Sequence, residues 1–233
     1  MVKLKIIALI ICFGVIGITG ILYTSNNINN YNSAIIGSDN KGYVTKEVYA
    51  PNRPNQPKIA VITGIHPREK IAISPMEALI RNYASTHDVE ITDYSIHVLD
   101  QPENFTAGRN NGEGLAAQYI VPDIKKSDYK LVIIFHAHQQ GYGNGFYIAT
   151  PSMDNKSVTL AKNVKKMLPS FSYYQSSKNN PYKATSVIRV SDPIANEGYP
   201  TFVYEVPEQN TTENATEMTS KLLDSCLNNI NAK

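Results

Sequence analysis

The run Lys130-Leu131-Val132-Ile133-Ile134-Phe135 is apolar and largely β-branched, with no polar residue at alternate positions after the first. A strand with one wet face alternates apolar and polar residues; one that does not alternate is covered on both faces. This run therefore demands a sheet held between two layers of helix. The rest of the chain supplies both kinds of element. Lys58 to Gly64 reads as a second buried strand, and Tyr94 to Leu99, Phe146 to Ala149, Ser186 to Val190 and Thr201 to Val206 as further strands. Ser74-Pro75-Met76-Glu77 offers a Ser cap, a Pro in the first turn and a Glu at the third helical position, opening a helix to about Ser85. Gly114 to Tyr119 reads as a short helix, Ser157 to Leu168 as an amphipathic one, and Thr212 to Ile230 as the closing one. The expected fold is α/β, with a mixed, mostly parallel central sheet flanked by helices.

The N-terminus has a different character. Lys3 and Lys5 precede an uncharged, almost wholly apolar stretch from Ile6 to Tyr23. That is close to the ~20 residues a helix needs to cross a bilayer, and the lysines favour a cytoplasmic N-terminus. Residues 1–24 are therefore expected to be a transmembrane anchor, or a signal segment if cleaved. Residues 25–42, rich in Asn, Ser and Gly, read as a flexible linker, and 43–233 as the folded domain. The expected location is membrane-anchored and extracytoplasmic, or secreted if the segment is removed. Formal net charge is +2, and Lys3 and Lys5 alone account for two positive charges, so nothing favours nucleic acid. Cys12 and Cys226 are the only cysteines, which excludes a thiolate metal site.

Polar residues collect at the ends of the expected strands. His66 and Glu69 follow the strand ending at Gly64, His136 and His138 follow Phe135, and Glu205 lies inside an apolar strand. Open α/β sheets place ligand sites at the carboxyl ends of strands. A catalytic zinc takes three protein ligands and leaves one position open, and a nearby free carboxylate then moves the proton. His66, Glu69 and either strand-end histidine suit the first task, and Glu205 the second. Taken singly, each has a plainer reading: a solvated loop pair, a satisfied strand-end histidine, an outward-facing Glu. Their joint order along an α/β chain is what points to a metal.

Gly64-Ile65-His66-Pro67-Arg68-Glu69 closely resembles the zinc motif of the metallocarboxypeptidase superfamily. Ile133 to His138 resembles the strand that holds its third ligand, and Thr201 to Glu205 the strand that carries its catalytic glutamate. The resemblance spans roughly Lys58 to Pro207. It implies Zn²⁺ held by His66, Glu69 and His136 rather than His138, with Glu205 as general base and acid. It also implies hydrolysis of a peptide or an N-acyl amino acid, because the superfamily includes succinylglutamate desuccinylase and aspartoacylase. Arginines in the family stabilise the oxyanion and grip a carboxylate. Arg109 is the candidate for both, with Asn110 beside it, although the family order Asn-Arg is reversed here. Arg68 is a cleft candidate and Arg189 a remote one. Tyr182 has the separation from Glu205 that suits the family's mobile tyrosine, with Tyr174 and Tyr199 as competitors. The expected function is an extracytoplasmic zinc amide hydrolase, for which that location suggests a cell-wall or environmental peptide as substrate. The rival is a non-catalytic surface binding module on the same scaffold. A serine hydrolase is disfavoured, since no Gly-x-Ser-x-Gly elbow is present.

Overall fold

In a computed structural model, residues 31–49, 54–176 and 184–231 are described. Eight strands form one sheet: β1 (Tyr31–Asp39), β2 (Gly42–Tyr49), β3 (Lys58–Thr63), β4 (Glu90–Val98), β5 (Leu131–His138), β6 (Tyr147–Thr150), β7 (Ser172–Gln175) and β8 (Thr201–Pro207). Their spatial order is β1-β2-β4-β3-β5-β8-β6-β7. The four central strands β4, β3, β5 and β8 run parallel, while β2 and β6 join them antiparallel. The sheet is thus mixed and mostly parallel.

The apolar run that opened the sequence argument sits at its centre, and every residue of β5 is buried. Side chains alternate between the two faces. Ile133 and Phe135 pack with Ile59, Val61, Phe202 and Tyr204 under α1 (Ser74–Thr86), α4 (Asn155–Met167) and α6 (Thr212–Asn231). Val132 and Ile134 pack with Ala60 and Ile62 on the opposite face, under α2 (Phe105–Leu115), α3 (Val121–Ile124) and α5 (Asp192–Asn196). A π-helical turn, Ala116–Ile120, joins α2 to α3.

Several local expectations are corrected. Ser186 to Val190 is not a strand: Val187–Ser191 forms a π-helical turn running into α5. Only Val190 of its β-branched residues is buried, in the cluster with Leu115, Val121 and Ile194, while Ile188 is exposed, so the turn has one inward position rather than the alternation of a strand. The linker expected over residues 25–42 contains β1 over Tyr31–Asp39. Most of this edge strand is exposed, and its short apolar stretch Ala34-Ile35-Ile36 is flanked by Asn, Ser and Gly, so it shows no alternation. Ser74 begins α1 but does not cap it; Ile73 stands at the cap, without a side-chain bond. The chain arrives there from a tight turn at Lys70–Ala72, where the Lys70 carbonyl accepts the Ile73 amide, and the Ile73 carbonyl in turn accepts the Met76 and Glu77 amides. The anchor expected over residues 1–24 lies outside the described residues. Among the described residues no helix is long and apolar enough to cross a membrane.

One buried group works against the fold. Asp93, on β4 beneath α1, is fully buried, and its Oδ2 has no hydrogen-bond partner among the described residues. Burial, with the Glu77 and Glu47 carboxylates nearby, pushes its pKa from 3.8 up to about 8. Between those values the unfolded chain is ionised at this position and the folded chain is protonated. Folding therefore takes up a proton, and stability falls as pH rises through that window. Asp93→Asn removes the dependence. We expect it to stabilise the domain at pH 8 by a few kcal/mol, on the order of 2 to 5, and much less at pH 4.5. Denaturant midpoints at the two pH values check this; equal effects at both would contradict it.

Candidate metal centre

Three strand ends deliver the polar residues to one place. After β3 the chain turns sharply at Gly64, whose φ is +77°, and a Cβ there would lie 2.4 Å from the Ile96 carbonyl oxygen. Only glycine fits such a turn. The following loop is pressed from above by α2: a Cβ on Gly112 would sit 2.0 Å from the Ile65 carbonyl oxygen. Thus braced, the loop buries His66 and closes a turn in which the Glu69 N–H donates to the His66 carbonyl at 3.1 Å. On the neighbouring strands His136 and Glu205 are register partners. By alternation both face the side of Ile134 and Val203.

Glu69 is the hub. Its Oε1 lies 2.8 Å from His66 Nδ1 and its Oε2 lies 2.8 Å from His136 Nδ1. The two imidazoles are 4.2 Å apart between centroids. Ala137 N–H donates to Glu69 Oε2 at 3.0 Å, and Arg109 Nη1 to Oε1 at 3.1 Å. Burial alone would raise the Glu69 carboxyl, but His136 and His66 outweigh it and hold it well below the usual carboxylate range. One donor atom from each of His66, Glu69 and His136 lies within 4.8 Å of the other two, and all three residues are buried. Two imidazole nitrogens and one carboxylate are the donor set that a zinc ion with an open position takes. The three residues fit such an ion.

Glu205 is the remaining carboxylate. It is half-buried beside this group, and burial raises its pKa to about 7 against the opposing pull of His136. A carboxylate that titrates near neutrality is suited to taking up and returning a proton.

Sequence reasoning missed Glu113. It is buried on α2, with Oε1 3.4 Å from His66 Nε2, the ring nitrogen turned away from Glu69. Thr185 Oγ1 donates to it at 2.9 Å, and Arg189 Nη1 lies 3.7 Å from its other oxygen. A carboxylate on the second nitrogen fixes the tautomer and the ring plane of a ligating histidine. The available signal was Gly112-Glu113-Gly114. Two glycines inside a helix are costly unless backbone must approach something closely. Glu113→Gln is expected to weaken zinc affinity 10- to 100-fold, measured by competition with a chromophoric chelator; unchanged affinity would remove this role.

The other candidates divide. His138 does not join the group. Its Nδ1 faces the Gln139 carbonyl oxygen at 3.1 Å and its Nε2 the Gly145 carbonyl oxygen at 3.0 Å, so it pins the glycine-rich loop. Arg68 and Arg109 both line a cavity of about 580 Å³ that opens over His66, Glu69, His136 and Glu205. Their guanidinium carbons stand 5.8 and 5.1 Å from the Phe105 ring centroid. Asn110 is exposed and accepts from Arg189 Nη1 at 2.8 Å, outside the cavity lining. Tyr182 lies outside the described residues. Tyr199 donates to the Ser127 carbonyl at 2.8 Å, and Tyr174 stacks edge-on against Tyr147 at 4.8 Å.

No family model and no curated protein matches the chain. Solved structures do. A metallo-carboxypeptidase from Burkholderia cenocepacia superposes with a TM-score of 0.61 at 13% identity, over 90% of this chain and 67% of that one. Tripeptide-bound Csd4, a cell shape determinant protein from Helicobacter pylori, gives 0.54 at 12% identity, over 81% of this chain and 55% of that one. A protein from Shewanella amazonensis SB2B, provisionally described as a metallopeptidase, gives 0.55 at 11% identity, over 91% of each chain. The chain thus spans about two thirds of the first and just over half of the second. At these identities the likeness shows the fold, which is metallocarboxypeptidase-like.

Proposed function

We propose that this chain is a zinc-dependent hydrolase of peptide or acyl-amino-acid amide bonds. The observation that carries the reading is the convergence of His66, Glu69 and His136 donor atoms within 4.8 Å, with Glu205 beside them on the adjacent strand. Zinc, when bound there, supplies Lewis acidity, which polarises a carbonyl and lowers the pKa of a water toward ~7. The chain's own residues do the rest. A Glu205 carboxylate oxygen accepts the proton of the attacking water and returns it to the leaving nitrogen, so that the amine departs neutral. Arg109, partly exposed at the cavity wall, offers guanidinium donors to negative charge developing on the former carbonyl oxygen. Arg68 and Arg109 also suit a substrate carboxylate. Glu113 keeps the His66 ring in place, and Phe105 and Tyr147 give the cavity apolar wall.

A peptide substrate is supported by the tripeptide-bound Csd4 neighbour and by the size of the cavity. The uncharged stretch Ile6 to Tyr23 behind Lys3 and Lys5 supports an extracytoplasmic domain held at a membrane, and with it a cell-wall or environmental peptide. Protease protection in intact cells tests the location; a protected domain would contradict it. The reaction is tested by assaying the chain against short peptides and N-acyl amino acids, with chelator and with zinc restored. We expect turnover that chelator abolishes and zinc restores. Turnover indifferent to chelator would overturn the metal reading, and zinc binding without turnover of any of them would favour a binding module.

A further inference from the structure

The cavity over the metal centre is lined by charges of both signs, carried by different segments of the chain. Arg68 and Arg109 stand around the exposed ring of Phe105. Among the described residues these two are the only Lys or Arg side chains lining the cavity. Glu208, in the turn that ends β8, also lines the cavity, next to His138. Its backbone N–H donates to the His138 carbonyl at 2.9 Å, which fixes where the residue stands, and its side chain is exposed. Among the described residues the Glu208 carboxylate has no hydrogen-bond or ion-pair partner. Two aromatic rings line the same cavity. Tyr147 is placed by the His138 ring at 5.1 Å, and Tyr142 is 80% exposed on the glycine-rich loop.

We infer that the Glu208–Tyr142–Tyr147 wall is a subsite for an ammonium group of the substrate. A carboxylate attracts any cation, and the exposed ring of Tyr142 attracts one through its quadrupole, while Tyr147, packed against His138 and Tyr174, forms the floor. An anionic substrate group is repelled there by Glu208 and by Glu205 behind it, and is attracted instead to Arg68 and Arg109. A purely apolar group would desolvate the carboxylate without compensation. The preferred substrate is therefore dipolar: a short peptide whose carboxylate lies toward Arg68 and Arg109 and whose ammonium lies toward Glu208. The amine is either the peptide's own α-amine or that of a lysine-type side chain. This inference rests on the amide-hydrolase reading and adds a specificity determinant to it.

The test is a calorimetric titration of the full zinc-loaded chain carrying Glu205→Gln, so that peptides bind without being cleaved. Three probes are used: alanine tripeptide, its N-acetyl form, and an N-acetyl tripeptide containing one lysine. At least one amine-bearing peptide is expected to bind about tenfold more tightly than N-acetyl alanine tripeptide. Adding Glu208→Gln is expected to reduce that ratio to about one. Whichever amine-bearing probe gains identifies the source of the ammonium group. Equal binding of all three, or a preference that survives Glu208→Gln, overturns the subsite while leaving the hydrolase reading intact. Failure of all three to bind overturns both.

Discussion

Glu205→Gln is expected to lower kcat/KM by about a thousandfold, within the ~10²- to 10⁴-fold range of a positioned general acid–base group, while zinc content stays at the wild-type level. The amide keeps the shape of the side chain and its place on β8, but it cannot accept a proton at neutral pH. Glu205 is not one of the three residues whose donor atoms converge, so its loss should spare the metal. Its raised pKa also fixes the direction of a pH effect. The carboxylate form is the active base, so activity rises with pH through the Glu205 titration near 7. A bound cation nearby favours the ionised form and moves this limb below that value. Steady-state kinetics from pH 5 to 9, paired with elemental analysis, check both statements. Wild-type turnover in the variant would remove Glu205 from the chemistry.

Glu69→Ala is expected to weaken zinc binding by more than ~100-fold, beyond the usual effect of losing a residue that merely orients a ligand. Two consequences follow from its position at the hub. One third of the donor set disappears. In addition His66 Nδ1 and Arg109 Nη1 lose Oε1, and His136 Nδ1 and the Ala137 N–H lose Oε2. Buried groups stripped of their partner cost about 1 to 3 kcal/mol each in unfavourable cases, so the metal-free variant should also unfold at lower denaturant than the metal-free parent. The depressed pKa of Glu69 gives that loss a sign in pH. Stability from this carboxylate is present above the unfolded carboxylate range and fades as pH falls toward its low folded value. The gap between variant and parent should therefore shrink in acid. A gap that widened in acid would contradict the proposed network.

How far the sequence could be read depended on what kind of physical signal each residue leaves. Buried central strands leave a strong one, and β3, β5 and β8 were legible because their apolar runs lack alternation. His66, Glu69, His136 and Glu205 were legible because each is anchored to such a strand or to the turn just beyond it. Edge strands leave almost none: most of β1 is exposed, and its polar composition reads as linker. Val187–Ser191 misled in the opposite direction, since β-branched residues are also tolerated in a helical turn, here one that buries Val190 and leaves Ile188 exposed. Glu113 was invisible for a different reason. Its partners, His66, Thr185 and Arg189, come from stretches 47, 72 and 76 positions away, and no local pattern marks a long-range meeting of that kind. His138 was separated from His136 in the sequence only by a family likeness. In the fold the separation is physical, because both of its ring nitrogens face loop carbonyl oxygens.

The account stands on one ion shared by residues from three separate segments. The most direct measurement is zinc stoichiometry by elemental mass spectrometry, with X-ray absorption at the zinc edge, on the chain and on a His66→Ala/His136→Ala double variant. The account predicts one zinc per chain with two imidazole ligands, and no bound zinc in the double variant at the same protein and metal concentrations. Zinc retained by the double variant, or a parent chain that takes up none, would contradict it.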